Sequence, residues 1–176
     1  NHLDTAAVYQ DGANERFVGE AIRGRRDEVF IATKCGLARN PDGRITADNR
    51  AATIRRSCDE SLQRLGVEQI DLFYLHRIDP RVPIEDSMGV MADLVRAGKV
   101  RYIGCSNLAA WQMMKALAIS REQHLERFRC TQSYYSLAGR DLEREIVPFI
   151  TDQHLGLLVW SPLAGGLLGG ALEKME

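Results

Sequence analysis

Short apolar runs alternate along this chain with stretches whose apolar residues recur every three or four positions, and that alternation admits few folds. The runs VFIAT (Val29–Thr33) and IDLFYL (Ile70–Leu75) are rich in β-branched and aromatic residues, are bounded by turn or polar residues, and are too short for helices. Further strand candidates lie at Val100–Cys105, Arg129–Ser133 and Gly156–Trp160, with the tail of another at His2–Leu3. Helical patterns fall between them. In NERFVGEAIRG, Asn14 is a capping residue, Phe17, Val18, Ala21 and Ile22 share a face, and Gly24 ends the helix. Ile54, Cys58, Leu62 and Leu65 repeat before Gly66, and Ile84, Met88, Met91, Leu94 and Val95 before Gly98. LEREIVPFI carries a stripe through Leu142, Ile146 and Ile150, interrupted by Pro148.

Alternating β and α elements imply a parallel sheet covered by helices. A doubly wound dinucleotide-binding sheet would show GxGxxG after its first strand, and no such run occurs. Polar residues instead end or follow nearly every strand: Asp4 and Tyr9 in HLDTAAVY, Lys34 in FIATKCG, His76 in DLFYLHRID. In a (β/α)₈ barrel the C-terminal strand ends converge on one face, which would bring these ionisable groups together as a proton-transfer site. A full barrel takes about 250 residues, whereas 176 residues supply five strands and part of a sixth. The expected fold is therefore α/β, an incomplete barrel holding roughly strands 2 to 7, with residues 1–176 forming a single domain truncated at both ends.

Composition narrows the function. With 45% hydrophobic residues and a net charge of −1, the chain has enough apolar content for a core and no basic field for nucleic acid. No run of about 18 apolar residues suggests a membrane span. Cys35, Cys58, Cys105 and Cys130 form no CxxC pair, so they are expected as reduced, buried thiols in the cytoplasm. His2, His76, His124 and His154 show no ligand spacing for a metal-dependent hydrolase, and no metal site is expected. Singly, Tyr9 would be a half-buried aromatic, Lys34 a salt-bridged lysine, His76 a satisfied rim histidine and Trp160 a core residue. Their joint occurrence in this order points to chemistry.

Together with YLHRID, VRAGKVRYIGCSN, QSYYSLAGRDLE and VWSPLAGGLLGG, these residues make the chain resemble the aldo-keto reductases of the bacterial and plant branch from Asn1 almost to Glu176. The resemblance implies NADPH-dependent reduction of a small-molecule aldehyde or ketone by a monomer or weak homo-oligomer. It puts Asp4, Tyr9, Lys34 and His76 on the catalytic tetrad, and Ser106, Asn107 and Gln132 on the positions that hold the nicotinamide carboxamide. Trp160 falls on the aromatic that stacks on the nicotinamide, and Ser161, Pro162, Leu163 and Gly165 on the pyrophosphate loop. A second implied role is an NADPH-binding regulatory subunit like those of potassium channels.

The implied chemistry suits these residue types. Hydride delivery leaves charge on the carbonyl oxygen, so a proton donor must lie within reach; Tyr9 is the candidate acid. Lys34 would lower the phenol's pKa, Asp4 would fix Lys34, and His76 would orient the carbonyl. Gln10 stands where many relatives have glycine, which bears on substrate rather than reaction. By the same resemblance, the first strand and the eighth strand with its NADP-selecting loop lie outside this sequence, which is expected to be a segment of a longer protein. Broad activity on reactive aldehydes is expected, with NPDGR an exposed polar loop.

Overall fold

A computed structural model describes residues 1–40 and 42–170. Six parallel strands form one sheet: β1 (His2–Asp4), β2 (Phe30–Cys35), β5 (Ile70–Leu75), β6 (Val100–Ser106), β7 (Phe128–Tyr134) and β8 (Gly156–Trp160), hydrogen-bonded in that order. Consecutive strands of this sheet are always neighbours, so the order never reverses, as it does at the switch point of a doubly wound sheet. A hairpin, β3 (Leu37–Arg39) and β4 (Ile45–Ala47), is set apart as a second, antiparallel sheet. The helices are α1 (Ala13–Ala21), α2 (Ala51–Leu65), α3 (Ile84–Arg96), α4 (Ala110–Glu122) and α5 (Ile146–Asp152).

Side chains alternate across the sheet with the period of two that strands impose. Ile31 and Cys35 of β2, Phe73 and Leu75 of β5, and Ile103 and Cys105 of β6 join Ile54, Cys58, Met88, Met91, Met113 and Ile150 of the helices in the main core. Ala32, Leu72, Tyr74 and Cys130 form a smaller inner cluster to which no helix contributes. The helices therefore cover one face, and the other face closes on itself. A bond from Gln132 Nε2 on β7 to Asp4 Oδ2 on β1, 2.9 Å long, measures the curl. Three strands separate those two, so in a flat sheet they would lie about 19 Å apart. The sheet is an incomplete (β/α)₈ barrel.

Gly104 of β6 lies against side chains of the inner cluster. A Cβ there would sit 2.9 Å from the Tyr74 ring and 3.0 Å from Cys130 Sγ. Tyr74, fully buried, occupies the space that this glycine leaves.

Several local expectations change. Asn14 does not cap α1; it lies inside the helix, and its Oδ1 accepts from Thr5 Oγ1 at 2.6 Å. Phe17 faces outward, 71% exposed, and Ala21 is exposed too, because α1 turns Val18, Ile22 and the carboxylate of Glu15 inward instead. α1 ends at Ala21, ahead of the left-handed Gly24. LEREIVPFI is two elements, a 3₁₀ turn at Asp141–Glu143 and then α5, with Pro148 in the first turn where its missing N–H costs nothing. The NPDGR segment, apart from Pro41, is the turn of the β3–β4 hairpin, closed by Gly43 in a left-handed conformation and by Asn40 N–H donating to Arg44 O at 2.8 Å. α4 escaped the sequence reading because Trp111 and Met114 are exposed while Met113, Ala116 and Leu117 are buried, so apolar residues on both faces hide the stripe.

Gly104→Ala should lower stability by about 1–3 kcal/mol, the usual cost of overpacking a filled core. The urea midpoint measures it, and an unchanged midpoint would mean that Tyr74 and Cys130 yield freely.

Candidate active site

The C-terminal ends of β1, β2 and β5 deliver the four ionisable residues to one place. Asp4 is the last residue of β1. β2 runs to Cys35, two residues beyond its expected end, so Lys34 lies inside the strand and its side chain is on the inner face. His76 follows β5, its backbone N–H donating to Cys35 O at 2.9 Å. Tyr9 opens a 3₁₀ turn after β1.

Lys34 is the centre of the group. Its side chain is wholly buried; Nζ pairs with Asp4 Oδ1 and donates to Thr5 O at 2.7 Å. It also lies 5.2 Å from the centroid of the Tyr9 ring and 5.7 Å from that of Tyr74. Tyr9 and His76 meet edge to face with centroids 6.0 Å apart. Tyr9 is 42% exposed. Asn49, which the sequence reading did not single out, holds the two loops behind this group. Its buried amide donates to Gly36 O and Arg77 O, at 3.4 and 3.1 Å, and its Oδ1 accepts from Asp79 N–H at 2.5 Å.

Burial and neighbouring charge set the protonation states. Burial lowers the pKa of Lys34, and Asp4 opposes it. His76 falls to about 4, through burial first and then the positive charges of Lys34 and Arg77, so its imidazole is neutral at pH 7. Tyr9 is raised above the ordinary phenol value by burial and by Asp4. That is opposite to the lowering expected from Lys34, whose charge is spent on Asp4 and Thr5 O. His76 Nδ1 is buried without a hydrogen-bond partner.

The residues assigned to the carboxamide and ring positions form a second group on β6, β7 and β8. Ser106 and Gln132 are register partners. Asn107, left-handed at φ 60°, donates from Nδ2 to Ser106 Oγ at 2.8 Å and accepts at Oδ1 from Trp160 Nε1 at 3.0 Å. Asp4 takes the Nε2 end of Gln132 and leaves the Oε1 end as an acceptor, so one bond joins the two groups. That acceptor, without a partner among the described residues, lies near the Ser106 hydroxyl and suits a ligand amide, which needs both an acceptor and a donor. Trp160, 38% exposed, is braced against Tyr134 at 5.1 Å between centroids. Tyr134 is a further aromatic that the sequence reading passed over.

Beyond β8, Ser161, Pro162, Leu163 and Gly165 are exposed. Ser161, Ala164, Gly165 and Gly166 all have positive φ. The turn closes on itself, with Ala164 N–H donating to Ser161 O at 2.9 Å and Gly166 N–H to Leu163 O at 3.0 Å. Among the described residues, no cluster of three or more His, Cys, Asp or Glu side chains is arranged for a metal ion, and all four cysteines are buried and free. No described helix is long and apolar enough to cross a membrane.

His76 also makes stability depend on pH. Its pKa is lower folded, about 4, than at the ordinary value of 6.5, so the unfolded chain binds the proton first. The contribution of a neutral His76 is fully present above pH 6.5 and declines as pH falls toward 4. His76→Gln should flatten the denaturation midpoint over that window; an unaltered slope would show that His76 is not held neutral.

The whole chain, residues 1–176, matches the aldo/keto reductase family. It is 41% identical over 171 residues to a probable aldo-keto reductase 1 of Glycine max, an alignment that covers 96% of this chain and 47% of that protein. It is 33% identical over 192 residues to an aldo-keto reductase of Fusarium vanettenii, covering 96% and 52%. Among solved structures it is similar to a glycerol dehydrogenase of Gluconobacter oxydans, with a TM-score of 0.88, 33% identity and coverage of 97% of this chain and 52% of the other. The chain thus spans about half the length of the relatives it matches. A family match from end to end, at these identities and on this curled parallel sheet, makes the chain a member of the aldo/keto reductase family.

Proposed function

We propose that this chain carries the hydride-transfer half of an NADPH-dependent oxidoreductase that reduces small aldehydes or ketones to alcohols. The observation that carries the reading is the meeting of Asp4, Lys34, Tyr9 and His76 at one end of the curled sheet, with Lys34 buried and Tyr9 open to the solvent side. Residues 1–176 belong to one barrel domain in this reading. The likeness to a glycerol dehydrogenase supports chemistry on an alcohol–carbonyl couple. The four buried free thiols suit a cytoplasmic protein.

Bound NADPH supplies the hydride. As the hydride added to the carbonyl carbon, the π pair would move onto oxygen, and Tyr9 would give its proton to that oxygen. A phenol whose pKa is raised carries its proton at pH 7 and so has one to give, although it gives it less readily than an ordinary phenol. The phenolate left behind gains the attraction of Lys34, and it regains a proton from solvent before the next cycle. Neutral His76 can hydrogen-bond the carbonyl oxygen without adding a competing charge. Ser106 and the free end of Gln132 would hold the carboxamide, and Asn107 would brace them. The exposed face of Trp160 would set the angle of the nicotinamide, and the turn from Ser161 through Gly165 would receive the pyrophosphate.

The test follows NADPH oxidation by absorbance with a reactive aromatic aldehyde, using this chain, a form extended at both ends to the length of its relatives, and variants of that form. Tyr9→Phe should cut kcat by about 100-fold or more while cofactor affinity holds, because only the proton is removed. Lys34→Met should be similarly damaging, and Trp160→Ala should chiefly weaken cofactor binding. Turnover undiminished in Tyr9→Phe would remove the acid assignment. A folded extended form that binds NADPH without turnover would replace the reductase reading with that of a regulatory subunit.

A further inference from the structure

We infer that the ion pair between buried Glu15 and half-buried Arg64 is a positioning device that sets Tyr9 over Lys34, an inference that rests on the proton-donor role proposed above. Tyr9 opens a turn in which three successive residues, Gln10, Asp11 and Gly12, have φ of 51°, 52° and 82°. Glycine adopts that conformation freely; glutamine and aspartate hold it only where the surroundings over-determine it. No hydrogen bond among the described residues fixes the Tyr9 hydroxyl, so the ring goes where the turn puts it.

Arg64, from the last turn of α2, lies against that turn. A Cβ on Gly12 would fall 2.5 Å from Arg64 Cδ and 2.7 Å from Nε, so residue 12 and the guanidinium share one space. Arg64 Nε donates to Glu15 Oε2 at 2.6 Å, and its other nitrogens reach Glu60 at 3.3 Å and Ser61 at 3.4 Å. Glu15, in the first turn of α1, is fully buried, and its Oε1 accepts from Thr33 Oγ1 at 2.6 Å. Thr33 immediately precedes Lys34. The pair therefore connects the segment that carries Tyr9 to the strand that carries its partner, from the face opposite the site. Backbone bonds also hold the segment, Tyr9 N–H to Ala6 O at 3.0 Å and Ala7 N–H to Lys34 O at 3.4 Å, while the side-chain tie from Asp11 to Arg39 is an exposed pair of the kind that holds little.

A buried ion pair is a poor device for stability alone, since apolar residues of similar volume often serve equally well. What it adds is direction. An arginine fork fixes geometry that a lysine or an apolar stem does not.

The experiment uses the extended form with the double replacement Glu15→Met and Arg64→Met, and separately Arg64→Lys. Ring-labelled tyrosine and histidine report nuclear Overhauser contacts between Tyr9 and His76, assigned with Tyr9→Phe. Trp fluorescence reports NADPH affinity, and steady-state assays report kcat. Positioning predicts a folded double variant that loses the Tyr9–His76 contacts, binds NADPH within about twofold of the parent, and has kcat reduced about 10- to 100-fold, the cost of a small misplacement. Arg64→Lys should fall between. A folded double variant that keeps both contacts and kcat would overturn the inference. Should the double variant not fold, Arg64→Lys decides alone, and full contacts and kcat there overturn it equally. A parent with no turnover would sink the reductase reading but not the contact measurement, which stands without activity.

Discussion

A lysine ammonium with no access to water governs this half-barrel. An unpaired charge in that position would be neutralised or would open the fold. Lys34 has instead Asp4 from the neighbouring strand and the Thr5 carbonyl just beyond it. Asp4 can serve because β1 lies beside β2, with Asp4 in register with Ala32, and the curl lets its second oxygen reach Gln132 across three intervening strands. The charge, the curvature and the junction between the two residue groups are thus one arrangement. Tyr74 and Gly104 supply the apolar filling beneath it.

Burial first, and then this ion pair, sets how the neighbouring groups ionise. His76 stays neutral because it is buried and because Lys34 and Arg77 are already positive nearby. Tyr9 keeps its proton because it is partly buried and the nearest carboxylate disfavours phenolate. Two groups that can offer a hydrogen bond thereby flank one space, and the cation behind them becomes important once a proton has left.

Much of this was legible in the sequence, for identifiable reasons. Strand runs such as IDLFYL are unmistakable when both faces are buried, and a polar residue at the end of each is visible by position alone. Lys34 was read as following its strand, although β2 extends past it, because lysine is a poor guide to where a buried strand stops. Glu15, Arg64 and Asn49 were illegible. A glutamate and an arginine in amphipathic helices ordinarily face water, and only the tertiary arrangement turns these two onto Thr33 and Gly12. α4 was missed because Trp111 and Met114 are apolar yet exposed, which blurs its periodicity. The direction of the Tyr9 shift needed geometry as well, since it depends on what else Lys34 touches.

The unbroken strand order bears on how the chain acquires its shape. Register partners in the parallel sheet are only 25 to 40 residues apart, from Ile103 and Phe128 to Ala32 and Leu72. The loops that must close are therefore modest, and the entropy lost in closing them grows slowly with length. Each strand can dock on its predecessor as it leaves the ribosome, without waiting for a distant partner. The bond from Asp4 to Gln132, separated by 128 residues, is the exception. It can form only after the intervening strands have curled, so the junction between the proton-transfer group and the amide-holding group is a late event in assembly.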